Sequence, residues 1–107
     1  MLNDIISVMG KLTPEQVVST LNNHAEHIRG FGVTRIGLFG SYLKGCAGEE
    51  SDLDFLVSFE DPTFDKYMEL KFFLEELFGK RVDLVIEENL RPAFADVKKA
   101  ARYAEAI

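Results

Sequence analysis

The chain has 107 residues, a hydrophobic fraction of 47%, a charged fraction of 28% and a formal net charge of −6. This length suits one small domain and excludes a catalytic domain joined to a separate substrate domain. The acidic balance argues against direct binding of a long nucleic acid, which is held mainly by cationic side chains. No apolar run is long enough to span a membrane, and a single cysteine fits a reducing cytoplasm, so a soluble cytoplasmic protein is expected.

The first predicted element is a helix that starts at Thr13 and ends at Gly30 and Gly32. Thr13 is a suitable N-cap, Pro14 suits the first helical position, and Gln16 stands at the capping-box distance. The first twelve residues carry no such signals and are expected to be loosely structured.

Three strands and two further helices follow. The strands are predicted over Val33–Phe39, Leu53–Phe59 and Arg81–Ile86. The second helix begins at Pro62 and ends near Gly79. A last helix is predicted from Pro92, and its inward face is expected to hold Phe94, Val97, Ala101 and either Ala104 or Tyr103.

These elements predict a single domain over residues 1–107 of the α/β (α+β) class, with a small mixed sheet of about three strands and flanking helices. A full helix separates the second and third strands, so they are expected to run parallel. If the first strand is antiparallel to the second, Gly40-Ser41 lies at the same edge of the sheet as Asp52, Asp54 and Asp83.

The three aspartates are the candidate metal ligands. Strand alternation places Asp52 and Asp54 on one face, with Cα atoms about 6.6 Å apart, while Leu53 points to the core. Asp83 interrupts an apolar strand, where a structural role would require a buried partner such as Arg81 or Lys80. Clustered carboxylates repel one another unless a cation neutralises them, and oxygen ligands suit Mg²⁺ or Mn²⁺.

The segment after the first strand is the candidate phosphate site. Gly40 allows close approach of a ligand to the backbone, and the residues from Ser41 to Cys46 could form a short helix with free N–H groups. Lys44 could add a positive point charge. Taken alone, a Gly-Ser turn is usually only a turn, and Lys44 is most simply a solvated charge.

Together, Gly40-Ser41, ten intervening residues, Asp52-Leu53-Asp54 and the later Asp83 resemble the signature of the DNA polymerase β-type nucleotidyltransferase superfamily. The resemblance extends from about Val17 to Tyr103, and the size is similar to that of its minimal nucleotidyltransferases. It implies that Gly40 and Ser41 hold the triphosphate of ATP and that Asp52 and Asp54 bind metal ions. It also implies that Asp83 completes the site and assists deprotonation of the attacking hydroxyl. Many relatives have Arg at the position of Lys44.

The resemblance also implies a partner, because minimal nucleotidyltransferases are commonly paired with a HEPN ribonuclease toxin. In such pairs the nucleotidyltransferase is the antitoxin and moves AMP from ATP to a tyrosine hydroxyl of the toxin, which predicts a hetero-oligomer. Two alternatives stay open: neutralisation by stoichiometric binding with a vestigial nucleotide site, and nucleotidyl transfer to a small hydroxylated molecule. A surplus of aromatic residues in the second helix predicts an apolar face for association, drawn from Phe64, Tyr67, Phe72, Phe73 and Phe78.

Overall fold

The structure, a computed structural model, describes residues 12–45, 48 and 51–107. It contains a four-stranded mixed sheet in the order β3-β2-β1-β4. Its strands are β1 (Val33–Phe39), β2 (Leu53–Phe59), β3 (Val82–Ile86) and β4 (Arg102–Tyr103). The predicted fold class is confirmed, although the sheet has one strand more than expected.

The strand pairing brings three chain segments to one end of the sheet. β1 is antiparallel to β2, with Phe39 opposite Asp54, and β2 is parallel to β3, with Asp54 opposite Asp83. The parallel direction was predicted, and the antiparallel direction is the condition under which Gly40-Ser41 was expected to lie near the three aspartates. The last residue of β1 therefore lies beside the first residues of β2 and β3, and we call this the site end of the sheet.

The helices are α1 (Pro14–Asn23), α2 (Ala25–Gly30), α3 (Ser41–Lys44), α4 (Phe64–Phe78) and α5 (Ala95–Ala100), with 3₁₀ turns at Glu87–Asn89 and Pro92–Phe94. The predicted capping box is present: the Thr13 hydroxyl accepts from the Gln16 N–H at 3.1 Å, and the Gln16 side chain accepts from the Thr13 N–H at 2.9 Å. The helix predicted to run to Gly30 is interrupted at His24.

One face of the sheet forms the core with α1, α2 and α4. The core residues of β1 and β2, such as Ile36 and Phe55, are fully buried against Leu21 of α1, Ile28 of α2 and Leu74 of α4. The predicted loose segment 1–12 falls outside the described residues except for Leu12, whose side chain is buried in this core. In the described parts of the chain, no helix has the length and apolar character needed to cross a membrane.

Side chains of α4 form hydrogen bonds with the backbone of the edge strand β3. The Tyr67 hydroxyl donates to the Leu84 carbonyl at 2.7 Å, and the Val82 N–H donates to Glu75 Oε2 at 3.0 Å. The ammonium of Lys71 donates to the Val82 carbonyl. The N–H and the carbonyl of Val82 are therefore both hydrogen-bonded to α4, which fixes the position of the next residue, Asp83.

The prediction of one long helix from Pro92 is wrong. The helix ends at Ala100, and the backbone becomes extended at Ala101, with ψ of 143°. Tyr103 therefore lies in a strand and pairs with Gly37 of β1. A Cβ on Gly37 would lie 2.7 Å from the Tyr103 ring, so the missing side chain provides the space that the ring occupies. Phe94, expected to face inward, is 51% exposed.

A polar network fixes β4 to the sheet. The Tyr103 hydroxyl donates to Glu87 Oε1 at 2.7 Å, the Ser58 hydroxyl donates to Glu87 Oε2 at 2.9 Å, and the Arg35 guanidinium lies 3.9 Å from the Tyr103 ring centroid. Burial alone would raise the pKa of Glu87, but the hydrogen bonds from Tyr103 and Ser58 and the nearby positive charges outweigh it and lower that pKa. Burial, followed by the contact with Glu87, raises the pKa of Tyr103 to about 12.

Replacing Gly37 tests the packing of Tyr103. We expect Gly37→Ala to reduce the free energy of unfolding by about 1–3 kcal/mol, because the methyl group overlaps the ring. Gly30→Ala is the matched control, since no atom lies within 4 Å of its added Cβ. Urea unfolding measures both. In a Tyr103→Ala background the penalty should largely disappear, and an equal penalty in both backgrounds would contradict this account.

Candidate active site

The turn between β1 and α3 brings the backbone against a carboxylate. Gly40 has φ of 79° and ψ of −153°, a backbone conformation that residues with a Cβ rarely adopt. A Cβ on Gly40 would also overlap the carboxylate of Asp54. Glycine is therefore required here both for the backbone angle and for the close approach to Asp54.

The helix that follows this turn is short. α3 begins at Ser41, which is half-buried, and the Lys44 N–H donates to the Gly40 carbonyl at 3.1 Å. Lys44 is the last residue of the helix and is exposed. Cys46, the predicted end of this helix, lies outside the described residues.

The three candidate carboxylates all lie at the site end. Asp54 is half-buried in β2 and stands directly beside Asp83 in the parallel register, while Asp52 precedes β2 by one residue. Leu53 is fully buried, which agrees with the predicted alternation. The structure corrects one premise, because Asp83 is exposed rather than desolvated. β3 is an edge strand, and its carboxylate-bearing face is open at this point.

The electrostatics of the site are dominated by like charges around Asp54. Its partial burial raises the pKa of its carboxyl, and the charges of Asp83 and then Asp52 raise it further. Arg81 supplies a nearby positive charge, with its Nε 3.4 Å from Asp52 Oδ1. It was expected as a possible partner of Asp83, but its ion pair is with Asp52. Arg81 stands two residues before Asp83, and this spacing was the available signal that it lies on the carboxylate face.

These donors suit a hard divalent cation. Carboxylate oxygens are the ligands that Mg²⁺ and Mn²⁺ prefer, and a cation would relieve the repulsion that raises the pKa of Asp54. In the conformation described, Asp52 is directed to Arg81, and among the described residues no three acidic, histidine or cysteine side chains converge closely enough to hold a metal. The Asp52 side chain is 46% exposed, and an ion pair in such contact with water contributes little to its position.

The comparison with protein families agrees with this arrangement. The family described as nucleotidyltransferase domain matches residues 18–105, which include all the candidate site residues. The chain belongs to this family and is a nucleotidyltransferase.

Comparison with individual proteins agrees with membership of this family. The protein adenylyltransferase MntA of Thermococcus cleftensis is 47% identical over 89 residues, covering 81% of this chain and 90% of MntA. A solved structure described as a minimal nucleotidyltransferase is 35% identical, has a TM-score of 0.72, and is matched over 86% of this chain and 96% of its own. A re-refined structure of the tri-AMPylated Shewanella oneidensis HEPN toxin with an MNT antitoxin shares the fold, with a TM-score of 0.58, 20% identity and coverage of 84% and 73%.

The raised pKa of Asp54 leads to a stability prediction. A carboxyl whose pKa is higher in the folded chain destabilises the fold once it is ionised, so the cost develops as the pH rises above the ordinary value and through the raised one. We therefore expect Asp54→Asn to increase Tm at pH 7 in cation-free buffer.

Scanning calorimetry measures this change, with Asp61→Asn as the control because Asp61 is an exposed aspartate beyond the other end of β2. Mg²⁺ should then raise Tm of the unsubstituted chain more than that of Asp54→Asn. A lower Tm for Asp54→Asn in cation-free buffer would show that the ionised carboxylate stabilises the fold.

Proposed function

We propose that this nucleotidyltransferase moves AMP from ATP to a tyrosine hydroxyl of a partner HEPN ribonuclease in the cytoplasm, and that it acts as the antitoxin of that ribonuclease. The observation that carries this proposal is the contact between Gly40 and Asp54, which joins the candidate phosphate turn to the carboxylates. The 47% identity to an MntA protein adenylyltransferase supports a protein substrate.

Each site residue has a role in the proposed reaction. Gly40 and Ser41 hold the triphosphate through backbone and hydroxyl groups, and Lys44 contributes a positive charge. Asp52, Asp54 and Asp83 would hold the divalent cations, Mg²⁺ or Mn²⁺. When bound, these ions would offset the charge of the phosphates and of the leaving pyrophosphate.

Asp83 is the proposed proton acceptor. Its carboxylate is exposed at the open end of the sheet, where a hydroxyl from a second protein can reach it. As the tyrosine oxygen forms a bond to the α-phosphorus of ATP, the bond from that phosphorus to the β-phosphate oxygen breaks. The hydroxyl proton passes to Asp83, and pyrophosphate leaves.

The surface supports a protein partner, with which the chain would form a hetero-oligomer. Phe64 and Phe72 on α4 are 76% and 58% exposed, so part of the predicted aromatic face is open, whereas Phe78 is buried. Exposed aromatic side chains are common in protein interfaces. The chain shares its fold with an antitoxin that was solved in complex with an AMPylated HEPN toxin, and this likeness of fold is compatible with a similar complex.

The same exposed aromatic residues favour a second candidate, in which the chain neutralises its partner by stoichiometric binding. This candidate needs no cation and no nucleotide. It predicts that carboxylate substitutions leave neutralisation intact.

Transfer of AMP tests the proposal directly. Incubation with ATP, Mg²⁺ and the product of the neighbouring gene, which the proposal expects to be a HEPN protein, should add the mass of AMP to that product, as measured by intact-mass spectrometry. Asp52→Asn with Asp54→Asn should reduce the rate by about a hundredfold or more, because the charge that holds the cations is lost. Asp61→Asn should leave the rate unchanged.

The outcomes separate the two candidates. A partner of unchanged mass that is nevertheless neutralised, equally well by the doubly substituted chain, would reject transfer and support binding. A partner that is neither modified nor neutralised would reject both.

A further inference from the structure

Arg81 lies beside the candidate carboxylates, on the opposite side of β2 from the turn at Gly40, and the roles proposed above do not include it. Its backbone is fixed, because the Leu53 N–H donates to the Arg81 carbonyl at 2.9 Å and extends the pairing of β2 with β3 by one residue. Leu53 lies between Asp52 and Asp54. The backbone of Arg81 is therefore held beside the segment of β2 that carries the two aspartates.

The side chains of Lys80 and Arg81 take opposite directions at this point. The Lys80 ammonium lies 5.8 Å from the ring centroid of Tyr42, a buried residue of α3. The Arg81 guanidinium instead contacts Asp52, on the face that also carries Asp83. The charge of Arg81 therefore lies on the reaction face.

The contact between Arg81 and Asp52 is easily exchanged. The Arg81 side chain is 81% exposed and that of Asp52 is 46% exposed, and an ion pair in such contact with water contributes little to stability. A divalent cation at the site would also take over the negative charge of Asp52 that now attracts Arg81. The guanidinium could then bind another anion.

The anion that a bound nucleotide would bring to this site is its phosphate chain. Gly40, at the phosphate turn, touches the Asp54 carboxylate, and Asp54 is the direct neighbour of Asp83. Arg81 precedes Asp83 by two residues, a distance of about 6.6 Å along an extended chain, which an arginine side chain can bridge. The planar guanidinium can donate two parallel hydrogen bonds to a phosphate, which the ammonium of Lys44 cannot.

We infer that Arg81 is a binding residue for the nucleotide triphosphate, and that it rests on Asp52 until the cation and nucleotide arrive. This inference rests on the proposed function for the identity of the nucleotide. Arg81, which directly precedes β3, would contact the phosphates through its guanidinium, in addition to the point charge that Lys44 supplies. The ion pair in the structure is then the resting position of a ligand-binding group.

Nucleotide binding, measured without any partner protein, tests this inference. The probe is the non-hydrolysable analogue AMP-PNP with Mg²⁺, titrated calorimetrically into the full chain. We expect Arg81→Ala to weaken its affinity by about tenfold or more and Arg81→Lys to weaken it less, because the lysine keeps the charge without the paired hydrogen bonds. Arg91→Ala is the control, since Arg91 is an exposed arginine beyond the other end of β3.

Two further probes separate phosphate binding from a structural role. Mn²⁺ alone should bind Arg81→Ala at least as tightly as the unsubstituted chain, because a competing charge is removed from Asp52. Adenosine, which lacks phosphate, should bind both proteins equally. An unchanged affinity of Arg81→Ala for AMP-PNP would overturn the inference, as would an equal loss for AMP-PNP and Mn²⁺, which would show that Arg81 only positions Asp52.

Failure of this inference and failure of the proposed function are distinguishable. If the unsubstituted chain binds AMP-PNP through Arg81 but adds no AMP to the HEPN protein, the proposed function fails and the role of Arg81 stands. If the chain modifies its partner while Arg81→Ala keeps full nucleotide affinity, the role of Arg81 fails alone. A chain that binds no nucleotide overturns both.

Discussion

The repulsion between Asp54 and Asp83 is the constraint around which the site end of the sheet is organised. The parallel register of β2 and β3 sets these two residues side by side, and Asp52 adds a third negative charge two residues before Asp54. Like charges directly opposite each other destabilise a sheet, and partial burial of Asp54 increases the cost. The fold accommodates this because Asp83 is exposed on an edge strand and because Arg81 lies against Asp52. A divalent cation would remove the remaining conflict.

The surrounding structure also holds the two aspartates side by side. Lys71 and Glu75 of α4 bind both backbone groups of Val82, so β3 cannot easily shift its register to separate the aspartates. On the other side of β2, the Gly40 backbone lies so close to Asp54 that a Cβ would collide with its carboxylate. Strained or repulsive groups that are held firmly by their neighbours are common at functional sites. The raised pKa of Asp54 in such a firmly held cluster is what the proposed cation site leads us to expect.

Sequence patterns with strong local causes predicted much of this structure. The bounds of β1 and β2, the Thr13 capping box and the burial of Leu53 all follow from alternation and capping rules that act within a few residues. The grouping of Asp54 with Asp83 followed from the crossover rule, because one helix between two strands limits their possible directions. The grouping of Gly40 with them depended on the further condition that β1 is antiparallel to β2, which the structure meets. Family membership then agreed with the resemblance carried by the same residues.

The features that were missed depend on contacts between distant residues. Tyr103 was expected on a helix because nothing near it in the chain reveals the space above Gly37, 66 positions earlier. The exposure of Asp83 depends on β3 being an edge strand, which local sequence does not specify. Arg81 or Lys80 was named as a partner for Asp83 only in case Asp83 had a structural role. The observed contact of Arg81 with Asp52 depends on the pairing of two separate strands.

The central claim is that the Gly-Ser turn and the three aspartates form one nucleotide and cation site. The most direct measurement is a crystal structure of the chain with Mn²⁺ and AMP-PNP, in which anomalous scattering locates the manganese. The account predicts manganese bound by the carboxylates of Asp52, Asp54 and Asp83, with the triphosphate against Gly40 and Ser41. Manganese and nucleotide bound elsewhere, with these carboxylates free of metal, would contradict it.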